Sequence, residues 1–194
     1  MKFEKVSCYK EWLPLEKRQF GVLAVIAEQN GFKGNLTDLC RRLSLSTQTN
    51  TTHRLKNAIE QLRKDGLCEY TKTGQQYCIK NIPQECEVQI DPKAIEDLRN
   101  RRYSLASVAW EQVLKVYLWI CKNNWQDVVT NAMIAKALGG VSDSVISRAK
   151  RVLLEFGAIS KENVTEKLDD GTFRTIGQHI CANAWWNYKG KDIK

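Results

Sequence analysis

The chain has 194 residues, which suits one large domain or two small ones. Hydrophobic residues make up 43% and charged residues 27%, with three prolines and eleven glycines, so the composition excludes a wholly disordered, collagen-like or proline-rich chain. Lys and Arg total 30 against 22 Asp and Glu, and the net charge of +8 favours polyanionic partners without identifying nucleic acid by itself.

Residues 15–80 show helical periodicity followed by a hairpin pattern. In the third predicted helix, Leu55, Ala58, Ile59 and Leu62 share one face, and Gly66 ends the helix. The predicted elements are helices at 15–30, 38–43 (capped by Thr37) and 53–65, a turn at 44–47, and strands at 67–70 and 76–80 joined by Thr73-Gly74.

The same pattern occurs a second time along the chain. Leu153 and Gly157 take the places of Leu62 and Gly66, which indicates an internal repeat. The predicted elements of the second copy are a helix at 107–122, a short helix capped by Thr130 that carries Ile134 and Leu138, a turn at 139–141, a helix that is capped by Ser142 and ends at Gly157, and strands at 158–167 and 173–182 around an Asp-Gly turn.

The repeat predicts two domains, residues 1–82 and residues 104–194, the second with a C-terminal tail. Residues 83–103 predict a semi-rigid connector, because Asp91 caps a short helix that starts at Pro92 and runs through about Arg101. The net charge is +6 in the first domain, −1 in the connector and +3 in the second domain. Most of the positive charge therefore lies in the first domain.

Two stretches of sequence carry a resemblance to a known family. One is LTDLCRRLSLS followed by a polar helix ending LRKDGLCEYTKTGQQYCI, and the other is TNAMIAKALGGVSDSVISRAKRVLLEFGAI followed by a hairpin. Both resemble the winged helix-turn-helix superfamily, and the layout is similar to that of plasmid and phage replication initiators. The resemblance implies a mainly α fold with small β-hairpin wings, in which two tandem winged-helix domains are joined by a helical connector.

The resemblance also implies a function. It predicts sequence-specific binding of double-stranded DNA, by a transcriptional regulator or by the replication initiator of a mobile element. The alternative is a tandem winged-helix adaptor of the type that accompanies chromosome-segregation complexes, which binds proteins and not DNA. Such adaptors tend to be acidic, so the net charge of +8 favours the DNA hypothesis.

A helix-turn-helix places the N-terminal end of its last helix in the major groove. In the first copy this end is a polar run without acids, whose amide and guanidinium groups suit adenine and guanine edges. Any solvated helix face is polar too, which is the alternative interpretation. With two arginines of the preceding helix and one lysine of the wing, the DNA-contact candidates of the first copy are Arg41, Arg42, Thr47, Gln48, Thr49, Asn50, Thr51, His53, Arg54, Lys56, Asn57 and Lys72.

The second copy offers a smaller set of DNA-contact candidates, namely Ser144, Arg148 and Arg151. Its alternative role is dimerisation, so a homodimer is the second partner that the sequence predicts. Three arginines at the end of the connector helix either follow the DNA backbone or complement the helix C-terminus; they are Arg99, Arg101 and Arg102.

Nothing in the sequence indicates an enzyme. His53 and His179 have no partner at catalytic spacing, and no phosphate-binding glycine motif occurs. The seven cysteines form no C-x-x-C pair, no apolar run reaches the roughly 18 residues of a membrane span, and the N-terminus lacks the apolar core of a signal peptide. We therefore expect a cytoplasmic protein with reduced thiols and with no metal, cofactor, nucleotide or membrane partner.

Overall fold

The computed structural model describes residues 5–85, 87–100, 108–124, 128–183 and 185. The chain divides into two compact units, Met1–Arg101 and Arg102–Lys194, called unit 1 and unit 2 below. Two of the three arginines at the end of the predicted connector helix, Arg101 and Arg102, lie outside the described residues.

Unit 1 combines four helices with two small antiparallel sheets. Strand β1 pairs with β5, and β4 lies between β2 and β3. In chain order the elements are β1 (Val6–Tyr9), a single 3₁₀ turn (Lys10–Trp12), α1 (Lys17–Glu28), β2 (Phe32–Gly34), α2 (Leu36–Arg42), α3 (Thr49–Lys64), β3 (Cys68–Thr73), β4 (Gln76–Asn81), β5 (Glu87–Ile90) and α4 (Pro92–Asn100).

Helix α1 is the centre of unit 1. All seven residues from Phe20 to Ile26 are buried, so over these two turns the buried surface extends around the helix and is not limited to one stripe. The reason is tertiary, since α1 contacts β1, α3, β4 and α4. A helix enclosed by neighbours on several sides loses the polar face that amphipathic periodicity detects.

Helices α2 and α3 both begin at residues other than the predicted ones. The N-cap of α2 is Asn35 and not Thr37: the Asn35 side chain accepts a hydrogen bond from the Asp38 amide at 2.9 Å, and Asp38 accepts from the Asn35 amide at 3.3 Å. Helix α3 starts at Thr49, four residues before the predicted start at His53. Its first turn is polar throughout, so hydrophobic periodicity does not reveal it.

Unit 2 contains three helices and one long hairpin among its described residues. Helix α5 contacts α6, α7 and the second strand of the hairpin. Two of the predictions are confirmed, because the Thr130 hydroxyl accepts a hydrogen bond from the Met133 amide at 3.3 Å and the last strand has the predicted bounds. The elements are α5 (Trp110–Lys122), α6 (Asn131–Ala137), α7 (Asp143–Glu155), β6 (Ile159–Lys167) and β7 (Phe173–Ala182).

A close approach of backbone segments supports the hairpin of unit 2. Val129 pairs with Gln178 through two backbone hydrogen bonds of 2.7 and 3.0 Å. A Cβ at Gly177 would lie 2.4 Å from Cγ1 of Val128, so this approach requires glycine at position 177.

The prediction of a mainly α fold whose strands are limited to small β-hairpin wings is wrong. The fold is mixed α/β, with 48% helix, 25% strand, three small sheets and seven α-helices in the described part of the chain. Strands β1, β2 and β5 were not predicted, because each has only three or four residues and pairs with a distant segment. The region predicted as a connector supplies β5 and α4, which contact β1 and α1.

Membrane-spanning character and cysteine state can be stated for the described residues of both units. None of the helices in the described ranges has the length and apolar character needed to cross a membrane. The six described cysteines are free thiols, of which Cys8, Cys40 and Cys68 are buried and Cys78 is exposed. Cys86 lies outside the described residues.

Candidate nucleic-acid interface

The N-terminal half of α3 presents a polar stripe to solvent. Asn50, His53, Arg54 and Asn57 are spaced three or four residues apart and are all exposed, on the side away from the buried face formed by Leu55, Ala58, Ile59 and Leu62. We call the first four residues the α3 stripe. It offers amides and a guanidinium group, which are the groups that read base edges in the major groove.

The α3 stripe contains no acidic residue. The first turn of α3 has no acid, and the helix contains one, Glu60, which is half-buried and accepts a hydrogen bond from the Tyr70 hydroxyl. That hydrogen bond raises the pKa of Tyr70. The Glu60 carboxylate is therefore bound at the base of the hairpin, and the stripe carries only neutral and cationic groups.

Arg54 is the cation of the α3 stripe that is available to a ligand. Within the described residues its guanidinium group makes no hydrogen bond or ion pair, whereas the neighbouring His53 Nδ1 lies 3.5 Å from Nδ2 of Asn57. Lys56 is exposed beside the stripe. Three polar residues at the start of the helix are exposed as well, namely Thr47, Gln48 and Thr49. Thr51, in the first turn, is half-buried.

The two arginines of α2 are exposed but engaged. Nη1 of Arg41 lies 3.2 Å from Oδ1 of Asp38, and the guanidinium carbon of Arg42 lies 5.7 Å from the centre of the Phe32 ring. The Arg41–Asp38 ion pair is exposed and costs little to exchange for a phosphate, whereas Arg42 covers the ring of the buried Phe32. Arg41 and Arg42 therefore lie exposed on the helix that precedes α3.

The hairpin of unit 1 carries the predicted wing lysine. Nζ of Lys72 lies 5.4 Å from the centre of the Tyr77 ring, and the side chain is exposed on β3. Gly74 turns the hairpin with a positive φ of 60°. The exposed tip thus consists of a lysine and small or neutral residues, without an acid between Lys72 and Gln76.

The corresponding face of unit 2 is less open. The Nε of Arg148 donates a hydrogen bond to the Ser144 carbonyl at 3.1 Å, so this side chain lies against its own helix. Ser144 and Arg151 are exposed, and Asp143 stands in the first turn of α7. At the start of α7, Arg148 is therefore hydrogen-bonded to the helix backbone, and the Asp143 carboxylate would repel a phosphate.

One arginine proposed for the DNA backbone is structural. Arg99 forms a bidentate ion pair with Glu28 of α1, in which Nη2 donates to Oε1 at 3.1 Å and Nη1 donates to Oε2. Both side chains are about nine-tenths buried, at 10% and 11% exposure. Arg99 joins α4 to α1 and is not available to DNA.

Sequence reasoning did not single out Lys150, the cation that is most buried in α7. Its Nζ donates a hydrogen bond to Oε1 of Gln178 on β7 at 2.7 Å. Burial lowers the pKa of Lys150, and the charge of Lys161 lowers it further. The only signal in the sequence was its position directly after the inward-facing Ala149.

Comparisons of the chain with protein-family models, with curated proteins and with solved structures find no match. Among the described residues no group of three or more His, Cys, Asp and Glu side chains is arranged to hold a metal ion. What the chain binds therefore has to be inferred from its own exposed residues.

Proposed function

We propose that unit 1 binds double-stranded DNA, with the α3 stripe in the major groove and with α2 and the β3–β4 hairpin on the backbone. The observation that carries this proposal is the exposed stripe itself, which joins two asparagines and an unpaired arginine on a helix face without acids. Asn reads adenine and Arg reads guanine with paired hydrogen bonds. The partial positive charge of the helix N-terminus adds to the attraction for phosphate.

The role that follows is sequence-specific recognition, as in a transcriptional regulator or in the replication initiator of a mobile element. The resemblance of residues 15–80 to winged helix-turn-helix proteins supports this role. The excess of basic residues in the first 82 positions also supports it, because phosphate contacts supply much of the affinity of DNA-binding proteins.

The affinity of the full chain for a labelled duplex should fall steeply with salt. About six phosphate contacts give a slope of roughly −5 in a plot of log K against log salt, which is about a thousandfold loss between 50 and 200 mM. Fluorescence anisotropy with random and genomic duplexes measures the slope. A flat salt response, or the absence of duplex binding at low salt, would contradict the proposal and favour the protein-adaptor alternative.

Arg54→Ala should weaken binding to a selected site by about 1–3 kcal/mol and binding to random DNA much less, because a lost base contact affects only the matching sequence. Arg42→Ala should weaken both duplexes alike and reduce the salt slope by about one. Both side chains are exposed, so neither variant should melt far from the parent.

The matched control is Lys64→Ala, because Lys64 is an exposed cation at the other end of the same helix, about 15 Å further along its axis. This variant should bind both duplexes like the parent. An equal loss for Arg54→Ala on selected and random DNA would show that Arg54 contacts phosphate. If Lys64→Ala lost as much duplex affinity as Arg54→Ala, the N-terminal end of α3 would not be the end that binds DNA.

A further inference from the structure

A cationic pocket lies within unit 2, between α7 and the β6–β7 hairpin. It has a volume of about 460 Å³ and is bounded by the start of α6, one side of α7 and the facing part of β7. This volume is within the range of small-molecule sites, roughly 300–1,000 Å³. All residues that line the pocket belong to unit 2, whereas the α3 stripe belongs to unit 1.

Three cations line the pocket: Lys150 and Arg151 from α7 and Lys161 from β6. No acidic residue lines it among the parts of the chain that the structure describes. The charge of Lys161 lowers the pKa of Lys150, so the two ammonium groups repel each other across the pocket, and Asp143 offsets this with a smaller effect. An anion placed between the cations would replace this repulsion with attraction.

Hydrogen bonds fix the buried cation in place. Lys150 is 7% exposed and donates to Oε1 of Gln178, whose Nε2 donates in turn to Oδ1 of Asn163 at 3.3 Å. The ammonium group keeps further protons with which to donate to a ligand, since a lysine has three donors. The pocket therefore contains one positioned cation and two exposed ones.

A polar atom at the pocket wall lacks a partner. Nδ2 of Asn131 donates to the Ser147 hydroxyl at 3.0 Å, but Oδ1 of Asn131 is buried and accepts no hydrogen bond from the described residues. A buried acceptor without a donor costs free energy. Leu154 and Ile176 add an apolar wall to the same pocket.

We propose that this pocket binds a phosphate-bearing ligand, with the phosphate held by Lys150, Arg151 and Lys161. The volume exceeds that of a phosphate ion alone, and the apolar wall accommodates the remainder of a small phosphorylated molecule. A phosphodiester of a DNA strand offers the same anionic oxygens, so the experiment has to separate the two sources. The site does not depend on DNA binding by unit 1.

Isothermal titration of the full chain with inorganic pyrophosphate tests the site. The parent should show saturable binding, and Lys161→Ala should weaken it about tenfold, the loss expected from one charge-assisted hydrogen bond. Lys161 is exposed, so its replacement should leave the fold intact. The matched control is Lys167→Ala, an exposed lysine on the same strand that does not line the pocket, and it should bind pyrophosphate like the parent.

The source of the phosphate follows from a second titration with a labelled duplex. If Lys161→Ala weakens pyrophosphate binding and leaves duplex binding unchanged, the ligand is a free phosphorylated molecule. If it weakens both, and pyrophosphate competes with the duplex, the pocket holds a DNA phosphate. The absence of saturable pyrophosphate binding to the parent, or an equal loss in Lys167→Ala, would overturn the proposal.

Discussion

Replacing Arg99 with methionine should lower the free energy of unfolding of unit 1 by about 3 kcal/mol. The substitution leaves the Glu28 carboxylate without its partner at a position where only 11% of the side chain is exposed. Breaking one side of a buried ion pair typically costs about 3–5 kcal/mol, because the remaining charge is neither hydrated nor compensated. The loss should appear in chemical denaturation of the full chain as an earlier transition of unit 1.

The matched control is Arg41→Met, which breaks the exposed ion pair with Asp38. Surface pairs of this kind contribute well under 1 kcal/mol, so this variant should unfold close to the parent. The double variant Arg99→Met with Glu28→Gln should recover part of the loss, since it removes both buried charges. If Arg99→Met were no less stable than Arg41→Met, the pair would not join α4 to α1.

The stability of unit 2 should depend on pH through Lys115. This lysine of α5 is 1% exposed, and burial lowers its pKa to about 8, although Glu111 acts in the opposite direction. In the unfolded chain the pKa of lysine is about 10.4, so between these two values the unfolded state binds more protons. Raising the pH through this window therefore stabilises the folded unit by removing the cost of a buried charge.

The expected size follows from the two pKa values. From about pH 7.5 to about pH 9.5 the parent should gain about 2 kcal/mol relative to Lys115→Met. Burial raises the pKa of the Cys121 thiol to about 12, which destabilises the fold as the pH rises above the pKa of an unfolded thiol. That effect is present in both proteins and cancels in the difference.

Denaturation of the parent and Lys115→Met at several pH values measures this difference. The matched control is Lys122→Met, which alters an exposed lysine of the same helix and should show the same pH profile as the parent. Parallel profiles for the parent and Lys115→Met would mean that the lysine remains hydrated in the folded state.

The polar stripe of α3 could be predicted from the sequence because the residues that decide it all lie within the helix. The spacing of the apolar residues from Leu55 to Leu62 fixes which side of the helix is buried, and the exposed side then follows. The environment of individual cations could not be predicted in this way. Arg42 lies over Phe32 and Arg99 pairs with Glu28, and in both cases the partner comes from another part of unit 1.

By itself the sequence determined the elements whose signals lie within one segment. Long helices with repeated apolar positions and hairpins with glycine turns belong to this group, as the agreement at β7 (Phe173–Ala182) shows. Tertiary structure alone decided the three short strands, because the register of Val6 with Ile90 joins segments far apart in the chain, and four residues carry too little periodicity to indicate a strand. It also decided the burial of Lys115 and Lys150, since a lysine becomes buried only when neighbouring elements enclose it.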